Sequence, residues 1–141
     1  MKLKFDDIKD ALKTGDIILF EGSRLIMRKI IQYFTKSKKW THNGMVYVRG
    51  EGESREVLLY ESDMHVYAHL KDLDTGKTRH GVRLIDFRER LKVEKANVAI
   101  RRLNKPLTPE MLQQLELARA EFKGKWYELN PFELLDKVYI P

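Results

Sequence analysis

The sequence predicts an α+β domain in which helices pack on an antiparallel sheet. Its segments follow the order helix, strand, helix, several strands, helix, which is typical of this class. Two apolar runs, residues 44–48 and 57–61, flank a glycine-containing loop and indicate an antiparallel hairpin. Both faces of this hairpin are apolar, so we expect it in the middle of the sheet, covered on each side.

The segment before the hairpin predicts two helices and one strand. Apolar residues at helical spacing indicate a short amphipathic helix over residues 5–13, which Gly15 ends. Residues 16–20 read as a short buried strand. Ser23 can cap a second helix, whose wide apolar stripe runs to Phe34.

The segment after the hairpin predicts two more strands and two helices. The strands cover residues 81–85 and 96–101, with a short helix at residues 87–91 between them. The last helix begins after Thr108, a capping residue followed by proline, and Gly124 stops it. We expect that helix to bury one apolar face, formed by Met111, Leu115, Ala118 and Phe122.

Length and composition indicate an ordinary globular protein. The chain has 141 residues, 43% hydrophobic and 34% charged, so we expect a single domain over residues 1–141. Its first residues lack the features of a signal peptide, and no apolar stretch is long enough to span a bilayer. The cytoplasm is therefore the expected location. The absence of cysteine excludes disulfides and thiolate metal sites from these residues.

The chain is moderately basic, with a formal net charge of +6. Its densest basic stretch, residues 28–39, is explained most simply as a solvated helix face and loop. Contact with an anionic membrane surface is the functional alternative. Zinc-finger spacing, aromatic RNA-binding signatures and a long polybasic arm are all missing, so we expect no nucleic-acid partner.

His42 and Glu61 are the candidate catalytic residues. If the hairpin loop is centred between Glu51 and Gly52, His42 lies directly opposite Glu61 on one face of the sheet. Opposed Cβ atoms are about 4.5–5.5 Å apart, close enough for a carboxylate to orient an imidazole and raise its basicity. The simpler alternative is a strand-end histidine beside a solvated glutamate, and a one-residue slip would place the two on opposite faces.

Other candidate residues near this pair carry weaker signals. Trp40 can wall a cleft and Asn43 can hydrogen-bond a substrate, although core packing and a strand-entry role explain them as well. Asp63, His65 and His69 have a spacing that could furnish a divalent metal site. They lack a convincing fourth ligand, so we expect surface histidines and neither a metal nor a cofactor.

Several segments together keep the order and spacing of a known family. They are residues 12–20, the helix leading to residues 35–37, residues 42–46, Glu61, residues 81–82 with the short helix after them, and residues 124–127. This pattern resembles the circularly permuted papain-like branch of the NlpC superfamily, which includes YiiX- and YaeF-like proteins and relatives of lecithin:retinol acyltransferase. The resemblance covers nearly the whole chain.

The resemblance implies a permuted papain-like (NlpC-type) fold and the chemistry of a thiol hydrolase or acyltransferase. Such an enzyme, of the cysteine peptidase or amidase kind, acts on amide or ester bonds of a small peptide or lipid-like substrate. By resemblance, His42 is the general base and Glu61 is the polar residue that orients it. No cofactor is implied.

The cysteine nucleophile of the family has no counterpart in these 141 residues. In the family it follows the segment that matches residues 124–127. We expect it to lie beyond Pro141, so that the present chain is C-terminally truncated and inactive alone. The alternative is a degenerate, non-catalytic member that binds a lipid or peptide in the same cleft. Ser37, Thr41 and Ser62 are not placed to serve as the nucleophile.

Overall fold

The structure, a computed structural model, describes residues 4–21, 33, 39–64, 69–94 and 97–126. Within these ranges it is α+β, as predicted, with a five-stranded antiparallel sheet and three α-helices. The strands are β1 (Ile17–Phe20), β2 (His42–Arg49), β3 (Glu56–Asp63), β4 (Gly81–Asp86) and β5 (Val98–Arg101). The helices are α1 (Phe5–Ile8), α2 (Phe87–Val93) and α3 (Pro109–Phe122), with 3₁₀ turns at Lys9–Ala11 and Gly52–Ser54.

The β2–β3 hairpin lies inside the sheet, as its two apolar faces predict. The strand order is β4-β3-β2-β1-β5, which makes β2 the central strand. Every pairing in the sheet is antiparallel. Both strands of the hairpin therefore have a neighbouring strand on each side. Past the N-terminal end of β1, the Val48 amide of β2 donates to the Thr14 hydroxyl at 2.9 Å.

The predicted register of the hairpin is wrong by two residues. Glu61 lies opposite Gly44, and Val48 lies opposite Val57, so His42 does not directly oppose Glu61. The displacement comes from the turn, where Gly50 has a φ of 74° and a 3₁₀ turn spans Gly52–Ser54. Because the shift is an even number of residues, both side chains stay on the same face.

One face of the sheet carries the hydrophobic core. Val46 on β2 and Leu59 on β3 lie opposite each other and have no exposed surface. The ring of Phe87, the first residue of α2, packs edge-on against Phe5 of α1 with 5.9 Å between centroids. The buried cluster consists of Leu12, Ile18, Phe20, Val46, Val57, Leu59, Leu70, Ile85 and Phe87.

Helix α3 contacts the opposite face of the sheet through a charged residue. The guanidinium of Arg119 lies 4.2 Å from the ring centroid of Tyr47 and 5.9 Å from that of Tyr60. It also donates two hydrogen bonds of 3.0 Å to Asp74. Cation–π contacts thus attach α3 to the tyrosines of the hairpin, and the ion pair attaches it to Asp74 in the segment between β3 and β4.

The apolar face predicted for α3 is not buried in the structure. Met111 and Phe122 are 55% and 42% exposed, while Leu115 and Ala118 are half-buried. The predicted helix start is confirmed, because the Thr108 hydroxyl accepts a 3.3 Å hydrogen bond from the Met111 amide. Helical spacing therefore predicts the position of the helix, but it does not predict that Arg119 makes its contacts with the sheet.

Some predicted features lie outside the described residues. These include the helix from Ser23 to Phe34 (Tyr33 apart), His65, and residues 127–141. In the described part of the chain, no helix has the length and apolar character needed to cross a bilayer.

Candidate active site

His42 and Glu61 form a direct hydrogen bond across the β2–β3 pair. The Nε2 atom of His42 lies 2.8 Å from Oε2 of Glu61. Since Gly44 is the residue opposite Glu61, the histidine two positions earlier reaches the carboxylate as a diagonal neighbour. Gly44 leaves room for this contact, because a Cβ there would approach Cβ of Glu61 to 3.2 Å.

The Glu61 carboxylate is buried and ionised. Only 4% of the residue is exposed, and this burial by itself would raise its pKa. The hydrogen bond with His42 and the positive charges of Arg90, His42 and Arg83 outweigh burial and lower the pKa of Glu61 to about 2. At neutral pH Glu61 is therefore a carboxylate that only accepts hydrogen bonds.

The ionised carboxylate fixes the proton on one nitrogen of the His42 ring. Because Glu61 can only accept, Nε2 of His42 must be the donor in the 2.8 Å contact. In the neutral ring the other nitrogen, Nδ1, then has a free lone pair that can accept a proton. The side chain of His42 is 23% exposed, and the Phe20 ring lies against it with 5.4 Å between centroids.

Arg83 of β4 anchors the far oxygen of Glu61, a role that we did not predict from the sequence. Its Nε and Nη2 atoms donate to Oε1 of Glu61 at 3.0 and 2.6 Å. Its Nη2 also donates to Oδ2 of Asp63 at 3.2 Å. The signal in the sequence was a charged residue on the same strand face as Ile85, a pattern that implies a buried ion pair.

Arg90 brings a second positive charge to the same carboxylate from helix α2. Its Nε atom lies 3.4 Å from Oε1 of Glu61, and its Nη1 donates to Glu94 at 3.0 Å. Its guanidinium also stacks on the Phe20 ring, 4.4 Å from the centroid. Arg90 is 3% exposed, so α2 closes the base of the site with a buried charge.

The acidic residues of the site fit an ion-pair network better than a metal centre. One ligand atom each from His42, Glu61 and Asp63 lie within 4.8 Å of one another. However, Arg83 and Arg90 place two positive charges against the same carboxylates and oppose a bound cation. Arginines already contact Oε1 of Glu61 and Oδ2 of Asp63, while His42 holds Oε2 of Glu61.

Of the metal grouping that the sequence suggests, Asp63 belongs to this cluster. Asp63 belongs to the arginine network, whereas His69 is exposed and His65 lies outside the described residues.

The two weaker substrate-binding candidates are not brought to the His42 ring in the same way. Asn43 is exposed and, as the next residue along β2, points to the opposite face from His42. Trp40 is half-buried just before β2, with the Lys39 ammonium 4.7 Å from its ring centroid. Their substrate contacts stay predictions.

Comparison with known proteins gives no independent assignment. No family model and no curated protein matches this chain. A functional assignment therefore depends on the geometry of the His42–Glu61 pair and of the two arginines behind it.

Proposed function

We propose that this chain carries the general base of a papain-like thiol hydrolase or acyltransferase of the permuted NlpC type. The observation that carries the proposal is the buried, ionised Glu61, which accepts a hydrogen bond from Nε2 of His42. A carboxylate held in this way orients the ring, leaves Nδ1 free to accept a proton and stabilises the imidazolium that then forms. The alternative of a strand-end histidine beside a solvated glutamate does not account for a buried Glu61 that two arginines contact.

In the proposed reaction, the nucleophile is a cysteine beyond Pro141. Nδ1 of His42 takes the thiol proton, and the thiolate attacks the carbonyl carbon of an amide or ester. As the tetrahedral intermediate collapses, the C–N or C–O bond breaks and the imidazolium returns its proton to the leaving amine or alcohol. Water then hydrolyses the acyl-enzyme in a hydrolase, or an acceptor alcohol or amine takes the acyl group in a transferase.

The fold supports this proposal at the level of architecture. His42 and Glu61 lie on the adjacent antiparallel strands β2 and β3, with α2 packed behind them, an arrangement that supports their proposed roles. We extend the proposal to a permuted papain-like fold, to small peptide or lipid-like acyl substrates and to a cytoplasmic location.

A non-catalytic lipid- or peptide-binding role is the second candidate. The observation that favours it is the absence of cysteine from all 141 residues. In such a protein the His42–Glu61 pair would be a buried polar anchor for a ligand and not a proton carrier.

The rate of thiol alkylation tests the proposed base. In the gene product isolated from its natural host, we expect iodoacetamide to modify one thiol rapidly at neutral pH, because His42 promotes thiolate formation. His42→Ala should slow that reaction at least about tenfold. His69→Ala removes an exposed histidine and should leave the rate unchanged. Equal rates in wild type and His42→Ala would contradict the proposal.

A further inference from the structure

We infer that Arg83 is a positioning residue that sets the ring tautomer of His42. By holding one oxygen of Glu61, it reserves the other for the histidine and keeps the ring proton on Nε2. The catalytic consequence of this inference rests on the proposed function, whereas the tautomer itself does not.

The two oxygens of Glu61 have separate partners. Arg83 donates twice to Oε1, at 3.0 and 2.6 Å, while His42 faces Oε2 at 2.8 Å. Arg83 and Glu61 are only 1% and 4% exposed. If the contact between them breaks, water cannot reach the separated groups, and the buried charges are left without hydrogen bonds. Rotation of the carboxylate would break charge-assisted hydrogen bonds in a buried site, and the orientation is therefore fixed.

Neighbouring groups fix the guanidinium of Arg83 in turn. Its Nη2 is shared between Glu61 and Asp63, the latter at 3.2 Å. The Nε atom of Arg90 approaches the same Oε1 at 3.4 Å and adds a second positive charge on that side. Both guanidinium groups lie against Oε1, and the hydrogen-bond partner of Oε2 is the imidazole of His42.

This arrangement makes a specific prediction for the near-isosteric change Glu61→Gln. Arginine side chains only donate hydrogen bonds, so the Gln oxygen should turn towards Arg83 and Arg90. The Gln NH₂ group then donates to Nε2 of His42, and the ring proton must move to Nδ1. Nδ1 can no longer act as the base, and the rate of the proposed reaction should fall by about 10²–10⁴-fold.

The tautomer can be read directly by NMR. We would record long-range ¹H–¹⁵N spectra of the histidine rings in the ¹⁵N-labelled chain, at a pH where the His42 ring is neutral. Wild type should show the Nε2–H form, and Glu61→Gln should show the Nδ1–H form. Arg83→Lys keeps the charge but loses the forked contact that fixes the carboxylate. The carboxylate can then rotate away from His42, and a ring that has lost this acceptor should show a mixture of both tautomers.

Arg49→Lys is the matched control. Arg49 makes a 2.7 Å ion pair with Glu56 at the other end of the same hairpin, and its change should leave the His42 tautomer as in wild type. If Arg83→Lys fails to fold, Glu61→Gln decides the question. An Nε2–H ring in Glu61→Gln, or an unaltered tautomer in folded Arg83→Lys, would overturn the inference.

The same spectra separate this inference from the proposed function, because the tautomer needs no cysteine. The expected tautomers in a gene product without a reactive thiol would contradict the thiol chemistry and leave the role of Arg83 intact. A reactive thiol together with an Nε2–H ring in Glu61→Gln would support the proposed function and contradict the role of Arg83.

Discussion

At the residue scale, the central feature is a buried carboxylate whose partners determine its chemistry. Burial of Glu61 disfavours its charge, yet His42, Arg83 and Arg90 together reverse that effect and lower its pKa to about 2. The cost of burying the charges is repaid only because both carboxylate oxygens are hydrogen-bonded. Such a network fixes the orientation of the imidazole, and orientation is what a general base needs.

The low pKa of Glu61 predicts a pH-dependent contribution to stability. The pKa falls from 4.5 to about 2 on folding, so the contribution is fully present above about pH 5 and is lost as pH falls through 2. A difference of this size corresponds to about 3 kcal/mol. The gap in unfolding free energy between wild type and Glu61→Gln should therefore shrink steadily below pH 5.

Urea unfolding between pH 6 and pH 3 measures this gap. Glu56→Gln is the control, since Glu56 lies on the same strand with a half-exposed side chain that pairs with Arg49. A gap between wild type and Glu61→Gln that stays constant over this range would show that Glu61 is not held ionised by its neighbours.

At the element scale, the β2–β3 hairpin positions the site through a glycine. Gly44 lies opposite Glu61, and a side chain there would meet Leu59 Cδ1 at 2.9 Å. Because Gly44 has no side chain, the His42 side chain can extend past it to the Glu61 carboxylate on the neighbouring strand. The same hairpin supplies Val46 and Leu59 to the core, so the site and the core share one set of strands.

Gly44→Ala should therefore damage both stability and the site. The added methyl group would have to displace the buried Leu59 or the backbone near Glu61, at a cost of about 1–3 kcal/mol in unfolding free energy. It should also weaken the His42–Glu61 contact, visible as a loss of the Nε2–H signal. Asn43→Ala, one residue away and exposed, should change stability by less than about 0.5 kcal/mol. Equal stability of the two variants would contradict this account.

The hairpin also shows which features the sequence could predict. Period-two alternation placed His42 and Glu61 on one face, and that assignment is confirmed by their contact. The register was wrong by two residues because it depends on the turn, where a positive φ at Gly50 and a 3₁₀ turn are set by local conformation. Alternation gives the face of a residue but not its partner across the sheet.

The arginines were missed for a related reason. Arg83 and Arg90 lie in β4 and α2, which are distant in sequence from His42 and meet it only through the sheet order. Only the three-dimensional pairing of β3 with β4 brings Arg83 opposite Glu61. Likewise, helical spacing favoured an apolar face on α3, whereas the contact that forms is made by Arg119.

At the scale of the whole molecule, the site joins elements from both halves of the chain. Strands β2 and β3 supply His42 and Glu61, and β4 and α2 supply the arginines. The core lies on the same face of the sheet as this network, so stability and site geometry are coupled. A complete acyl-transfer centre additionally requires a nucleophile near Nδ1 of His42, which the proposed function assigns to a cysteine beyond Pro141.

The most direct test of this central claim is the intact mass of the gene product from its natural host, before and after iodoacetamide. We predict a mass above that of these 141 residues and a single rapidly formed adduct. A mass equal to that of this chain, with no adduct, would contradict the thiol mechanism and leave the His42–Glu61 pair as part of a ligand-binding site.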